Sequence, residues 1–163
     1  MFSILIPTYN NLDYLKICIN SIKKNSKFNH QIIIHINENK DKTLEYVKEN
    51  KLDYTFSDKN IGMSLSLNKA SQLSKFEYLV ISHDDFYYCP DWDTEFVKEL
   101  NTLNHKNFYL SGTMVNAVSS YEKNDYSKPP VFNAGLTFNE FDEDRLLKNL
   151  NMIKTIDFQG STK

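Results

Sequence analysis

The sequence predicts an α/β fold, a mostly parallel twisted sheet with helices on both faces. Three observations point to it. Apolar runs of strand length alternate with segments of helical periodicity from the N-terminus onward. Residues 76–81 are apolar and rich in aromatic and β-branched types, as a buried central strand of a parallel sheet is. That run ends on Ser82-His83-Asp84-Asp85, which puts two adjacent carboxylates at a strand's C-terminal end, where open α/β sheets bind ligands.

The elements follow in order. Residues 2–6 read as the first strand, stopped by Pro7, because proline lacks the N–H a ladder needs. After Thr8-Tyr9-Asn10-Asn11 a helix starts near Leu12, with Asn10 or Asn11 as its cap. Leu12, Leu15, Ile19 and Ile22 form its apolar face. Residues 31–36 are the second strand, followed by the polar loop 37–42 and a short helix over 43–51. Residues 54–57 are a short third strand. Asp58-Lys59-Asn60-Ile61-Gly62 then turns into a helix over 63–74, with Met63, Leu67, Ala70 and Leu73 inward. Beyond Asp85 comes the aromatic loop Phe86-Tyr87-Tyr88-Cys89-Pro90. The next helix carries Trp92, Phe96, Leu100 and Leu103 on one face. Residues 108–115 read as a fifth strand, 116–130 as a loop, 131–138 as a further strand and 143–150 as a helix.

At 163 residues the chain supports one domain with a real core. We divide it into a core α/β unit over 1–115 and a less regular remainder over 116–163. A net charge of −2 excludes a protein that binds nucleic acid mainly through phosphates. No apolar run approaches the roughly 18 residues of a transmembrane segment. The chain enters a strand at Phe2, which predicts no signal peptide. A cytoplasmic protein is expected, with peripheral membrane association left open. Cys18 and Cys89 make neither a disulfide framework nor a zinc site and read as structural.

The loops after the first four strands should gather along one edge of the sheet. None is a glycine-rich dinucleotide or phosphate loop. Asp84 and Asp85 repel one another, and Mg²⁺ or Mn²⁺ bridging them to a phosphate would compensate that repulsion. The alternative is a solvated Asp-Asp turn. His83 reads as a packing or outer residue, and His35 as a satisfied core histidine. Phe86-Tyr87-Tyr88 either line a sugar groove or cover the sheet end.

Taken together, Ile4-Leu5-Ile6-Pro7-Thr8-Tyr9-Asn10, the loop at Asn37, Asn60-Ile61-Gly62 with Asn68, and Ser82-His83-Asp84-Asp85 with Pro90-Asp91-Trp92 resemble family 2 glycosyltransferases. These are inverting enzymes of the GT-A fold that use nucleotide-diphosphate sugars. The match is specific over residues 2–93. It implies that Pro7, Thr8, Tyr9 and Asn10 lie against the nucleotide, and that Asn37 stands where an aspartate contacts the base. Asn60, Gly62 and Asn68 would shape the pocket. Asp84 would approach ribose or metal, and Asp85 would ligate a divalent metal, Mn²⁺ or Mg²⁺.

The sequence departs from the family pattern in four places. Ile36-Asn37 replaces an acidic pair, Leu67 replaces an arginine, and Ser82 takes the first position of the Asp-x-Asp motif. Late in the chain, Glu140, Asp142, Glu143, Asp144 and Asp157 are candidates for a catalytic base but read better as the start of an exposed helix. No catalytic base is therefore assigned. The resemblance implies the nucleotide-sugar-binding part of a longer enzyme, with 116–163 an incomplete acceptor-side region and the acceptor (saccharide, lipid-linked or protein) unassigned. Cell-envelope polysaccharide synthesis is the implied setting. The alternatives are a non-catalytic nucleotide-binding module and, last, a nucleotidyltransferase.

Overall fold

The computed structural model describes residues 1–117 and 131–154. The chain forms two compact units, Met1–Thr102 and Leu103–Lys163. In the first, β1 (Phe2–Tyr9), α1 (Leu12–Asn25), β2 (Gln31–Asn37), α2 (Thr43–Glu49), β3 (Asp53–Ser57), α3 (Met63–Ser71), β4 (Tyr78–Ile81) and α4 (Trp92–Thr102) alternate along the chain. The strands form one parallel sheet in the order β3-β2-β1-β4. Strand order therefore reverses between β1 and β4, which is the topological switch point of such a sheet.

Alternation along the strands builds a layer on each face. Ile4, Ile6, Ile32, Ile34 and Ile36 turn to one side and bury Leu15, Cys18, Ile19 and Ile22 of α1 with Val47 of α2. Trp92, Phe96 and Leu100 of α4 pack on the same cluster. Leu5 and Ile33 turn the other way, onto Ala70 and Leu67 of α3. Helices thus lie on both faces, as expected.

Several elements differ from their sequence reading. β1 runs through Pro7 and pairs with β2 as far as Tyr9–Asn37. The Leu5 carbonyl accepts from the Ser82 N–H at 3.0 Å, and Pro7, two residues on, faces the same side. β4 has ended there at Ile81, so no partner asks Pro7 for a hydrogen. β4 itself is short and, among the described strands, outermost. Tyr78 and Val80 reach the main core, while Leu79 and Ile81 are exposed. It is therefore not the buried central strand expected over 76–81. α3 ends at Ser71, with Met63 and Leu73 exposed and Ser66 buried in their stead.

The second unit holds α5 (Glu143–Lys154), whose Leu146 and Ile153 are buried with Ala134. Neither strand expected there forms. Residues 108–115 are irregular, and 131–138 contribute only an isolated bridge from Val131 to Asn116. Each expected strand carries a glycine, which weakens strands. At Gly135, with φ +122°, a Cβ would overlap the Glu140 carbonyl. The loop expected over 116–130, including Tyr121 and Tyr126, falls almost wholly outside the described residues, as does Asp157. No helix among the described residues is long and apolar enough to cross a membrane.

One buried polar clasp joins β1, the α1–β2 turn and α4. Asp93 is fully buried, and its Oδ2 accepts from the backbone N–H of Lys27 and Phe28 and from His30 Nε2, at 2.8–2.9 Å. The Phe2 N–H donates to His30 Nδ1 at 3.1 Å, so the ring is neutral with its hydrogen on Nε2. Burial holds the His30 pKa below its ordinary value. Against the opposing effect of its burial, the two backbone bonds and His30 hold Asp93 below the usual carboxylate range. Both shifts have one sign. The unfolded chain binds protons more tightly, so stability falls as pH drops, first below the ordinary histidine value of about 6.5 and then below that of an aspartate near 3.9. Thermal unfolding against pH should show this loss, and Asp93→Ala should lower stability by about 2–4 kcal/mol at pH 7 by orphaning three donors. A Tm independent of pH between 7 and 5 would contradict the neutral tautomer.

Candidate functional site

The C-terminal ends of β1 and β4 diverge at the switch point, and three side chains meet across the gap. Thr8, near the end of β1, donates from Oγ1 to Asp84 Oδ2 at 2.7 Å. Asn11, at the start of α1, donates from Nδ2 to Asp84 Oδ1 at 3.0 Å. Both carboxylate oxygens are thereby oriented. Burial pushes the Asp84 carboxyl above the usual carboxylate range; the bonds from Thr8 and Asn11 oppose this, and the charge of Asp85 adds to it. Asp85 is exposed and makes no hydrogen bond among the described residues.

The residues before the pair serve packing. Ser82 is fully buried, continues the β1 ladder through its N–H and donates to the His83 carbonyl at 3.0 Å. Cys18 lies beneath it, donating to the same carbonyl at 3.5 Å, and burial pushes its thiol up to about 12. It is a structural cysteine. His83 is exposed and its ring packs on Phe86 at 4.9 Å. Of the aromatic loop, Tyr88 joins the core, and its backbone is tied to Ser21 and Asn25 of α1. His35 is buried between Thr55 and Ser57.

Asn37 is buried, and its amide is fully engaged within the protein. Nδ2 donates to Ser66 Oγ at 3.0 Å and to the Thr8 carbonyl at 3.4 Å, while Oδ1 accepts from the Ile61 N–H at 2.9 Å. It ties β1, β2, α3 and the 58–62 turn together. In that turn Asn60 Oδ1 accepts from the Gly62 N–H at 2.9 Å, and Gly62 has φ +77° and ψ 170°, a region only glycine occupies readily. Nothing lies within 4 Å of a Cβ built on Gly62, so the backbone conformation alone calls for glycine there. Asn10 has φ 49°, and its Oδ1 accepts from the Lys40 N–H. Tyr9 is 46% exposed at the strand end. Asn68 is exposed on α3 and accepts from Ser71 only through its carbonyl, so it is not joined to Asp84.

Two contributors were not read as such from the sequence. Asn11 looked like a helix cap, yet its side chain caps nothing and holds Asp84 instead. Asp41 does the capping. Its Oδ2 accepts from the Leu12 N–H at 2.8 Å, and its Oδ1 accepts from Thr43 N–H and Oγ1–H, so it binds the first turns of α1 and α2. Asp-x-Thr ahead of a helix was the signal available. Among the late carboxylates, Asp142 caps α5 by accepting from the Arg145 N–H, and Glu140 accepts from the Leu136 N–H.

No group of three or more His, Cys, Asp and Glu forms a metal cage among the described residues. A Mg²⁺ or Mn²⁺ ion held jointly with phosphate needs only one or two carboxylates. The exposed Asp85 beside an oriented Asp84 fits that donor set.

The profile described as glycosyl transferase family 2 matches residues 3–160. An uncharacterized glycosyltransferase of Rickettsia typhi is 35% identical over 111 residues, covering 65% of this chain and 34% of that protein. One from Rickettsia conorii is 34% identical over 119 residues, covering 69% of this chain and 19% of that protein. The chain thus spans about a third or less of these relatives. The crystal structure of S. aureus TarS in complex with UDP superposes with a TM-score of 0.56 at 20% identity, covering 69% of this chain and 38% of that one. A mannosyltransferase from Pyrobaculum calidifontis in complex with GDP-Man and Mn²⁺ gives 0.54 at 19% identity, covering 72% and 35%. At such identities the likeness is one of fold, and that fold is GT-A. The profile match extends over nearly all of the chain, and the four loops of the resemblance lie within it, so this chain belongs to glycosyl transferase family 2.

Proposed function

We propose that the chain binds a nucleotide-diphosphate sugar at the β1–β4 crevice and forms the donor half of an inverting, metal-assisted glycosyltransferase. The observation that carries this reading is Asp84, held by Thr8 and Asn11 across the switch point with the free carboxylate of Asp85 beside it. Family membership and the nucleotide complexes of the structural neighbours support it.

Each residue has a task in this reading. Thr8 and Asn11 orient the Asp84 carboxylate toward the ribose or the metal. Tyr9 offers an exposed ring face to the nucleotide. Pro7 and Asn10 shape the loop beneath it, and Asn37 braces that loop from below. The Asn60–Gly62 turn leaves open space for the donor, and Asn68 stands at its margin on α3. Asp84 and Asp85 would hold Mn²⁺ or Mg²⁺. When bound, such an ion offsets charge developing on the departing nucleoside diphosphate. Deprotonation of the acceptor hydroxyl, which inversion requires, is assigned to no residue of this chain. The acceptor is a saccharide, lipid-linked or protein hydroxyl. Synthesis of cell-envelope polysaccharide in the cytoplasm or at the membrane face is the matching setting.

Calorimetry with UDP and GDP, with and without Mn²⁺, tests the reading. Binding should strengthen at least about tenfold with metal, which is about 1.4 kcal/mol. If neither nucleotide binds the folded chain at millimolar concentration, the reading is abandoned. Asp85→Asn should remove the metal-dependent gain and leave chelator-measured binding and the thermal midpoint unchanged or slightly raised, since a like-charge contact is relieved. Unaltered metal dependence in that variant would return the Asp pair to a polar turn.

A further inference from the structure

We propose that His35 is a positioning residue, fixing the 58–62 turn through Ser57 and through the tautomer of its own ring. The inference rests on the nucleotide-sugar reading for the use of that turn. On the α3 side of the sheet, Ile33 packs on Ala70, and His35 and Asn37 follow on the same face of β2. There the layer turns polar. His35 is fully buried, with Thr55 and Ser57 of β3 beside it and Asn37 bonded to Ser66 of α3.

His35 Nδ1 lies 2.7 Å from Thr55 Oγ1, and its Nε2 lies 3.2 Å from Ser57 Oγ. Ser57 has one hydroxyl hydrogen. Its nearest acceptor is the Lys59 carbonyl at 2.8 Å, with Asn37 Oδ1 farther off at 3.4 Å. With that hydrogen on Lys59, Nε2 must carry its own and donate to Ser57. Burial, and then the charge of Lys69 on α3, hold the His35 pKa below its ordinary value, against an opposing contact with Asn37. The ring is therefore neutral, Nδ1 is bare, and Thr55 donates to it. A one-way chain of donors results: Thr55 to His35, His35 to Ser57, Ser57 to the Lys59 carbonyl.

That chain ends at the entrance to the turn. Ser57 closes β3, and Lys59 leads into Asn60 and Gly62. Asn37 holds the far side of the turn through the Ile61 N–H. The opposite tautomer would draw the Ser57 hydrogen to Nε2 and release the Lys59 carbonyl. By donating to Nδ1, Thr55 selects the tautomer that keeps the turn fixed. An apolar side chain of similar size would fill the same space and break the chain at both hydroxyls.

NMR of the isotope-labelled chain at pH 7 should show His35 with its hydrogen on Nε2. Thr55→Val, an isosteric change at a partly buried residue, should mix the two tautomers. Amide exchange at Ile61 and Gly62 should rise about three- to tenfold in Ser57→Ala and His35→Leu, the loss of about one hydrogen bond, with Ile19 of α1 unchanged. Thr55→Val should shift exchange in the same direction. His35→Gln, whose amide can donate to Ser57, should restore slow exchange. Affinity for UDP or GDP with Mn²⁺ should follow, falling at least about threefold in Ser57→Ala and His35→Leu and recovering in His35→Gln. Should His35→Leu fail to fold, Ser57→Ala and Thr55→Val decide. A hydrogen on Nδ1 instead, or unaltered exchange at Ile61 in both of those variants, overturns the proposal. Faster exchange with unaltered nucleotide affinity makes His35 structural and overturns the positioning role. Tautomer and exchange are read on the chain alone. If neither nucleotide binds the unaltered chain, the donor reading falls and the positioning role with it, while those two readouts still decide whether His35 fixes the turn.

Discussion

The site depends on one inequality in hydrogen bonding around β1. On one side β1 pairs with β2 from Ser3–Gln31 to Tyr9–Asn37; on the other it pairs with β4 only from Phe2–Tyr78 to Leu5–Ile81. The β4 ladder closes with Ser82 on Leu5. Pro7, next in line on that side, has no hydrogen to extend it. The chain after Ser82 is free to turn across the end of β1, and Asp84 meets Thr8 and Asn11 in the space that opens. A proline inside a central strand thus does two things. It stays compatible with β2, and it ends the pairing with β4 where a crevice is needed.

Buried polar side chains then set the loops around that crevice. Asn37 joins four segments, Asp41 caps two helices at once, and Asp93 collects three donors from the turn between α1 and β2. Each stands at a strand end or helix start, where backbone donors lack partners of their own. Three left-handed non-glycine residues, Asn10, Glu38 and Lys42, fall in the two loops that these contacts hold.

Charge follows the same division. Asp84 is desolvated and carries a raised pKa, whereas its neighbour Asp85 stands in solvent. Two like residues therefore differ in what they offer: a fixed, oriented carboxylate and a free one. Glu38 and Lys40 form a second charged pair at the mouth of β2, and the sign of each is opposed locally by the other. Neither feature depends on the chain's net charge, which is small.

Much of this was legible in the sequence because it rests on periodicity and on local chemistry. Alternating strand and helix patterns gave the doubly wound parallel class, helix positions to within a few residues, and the gathering of Thr8 and Asp84 at one sheet edge. His35 was readable as a core residue from its apolar strand, and Cys18 as structural from the lack of any partner in its sequence context. Other features required the tertiary structure. The strands expected over 108–115 and 131–138 had the right residue types, but no ladder forms there to satisfy their backbone groups. Strand order decided that the apolar run ending at Ile81 is an outer strand with one exposed face. Pairing across 73 residues, from Asn11 to Asp84, gave an apparent helix cap a partner on β4's outgoing loop, and burial made Asn37 a brace between four segments. Residue type and spacing set which elements form. Which polar group meets which is decided by contacts remote in sequence, where a donor freed at one strand end finds the acceptor that folding brings beside it.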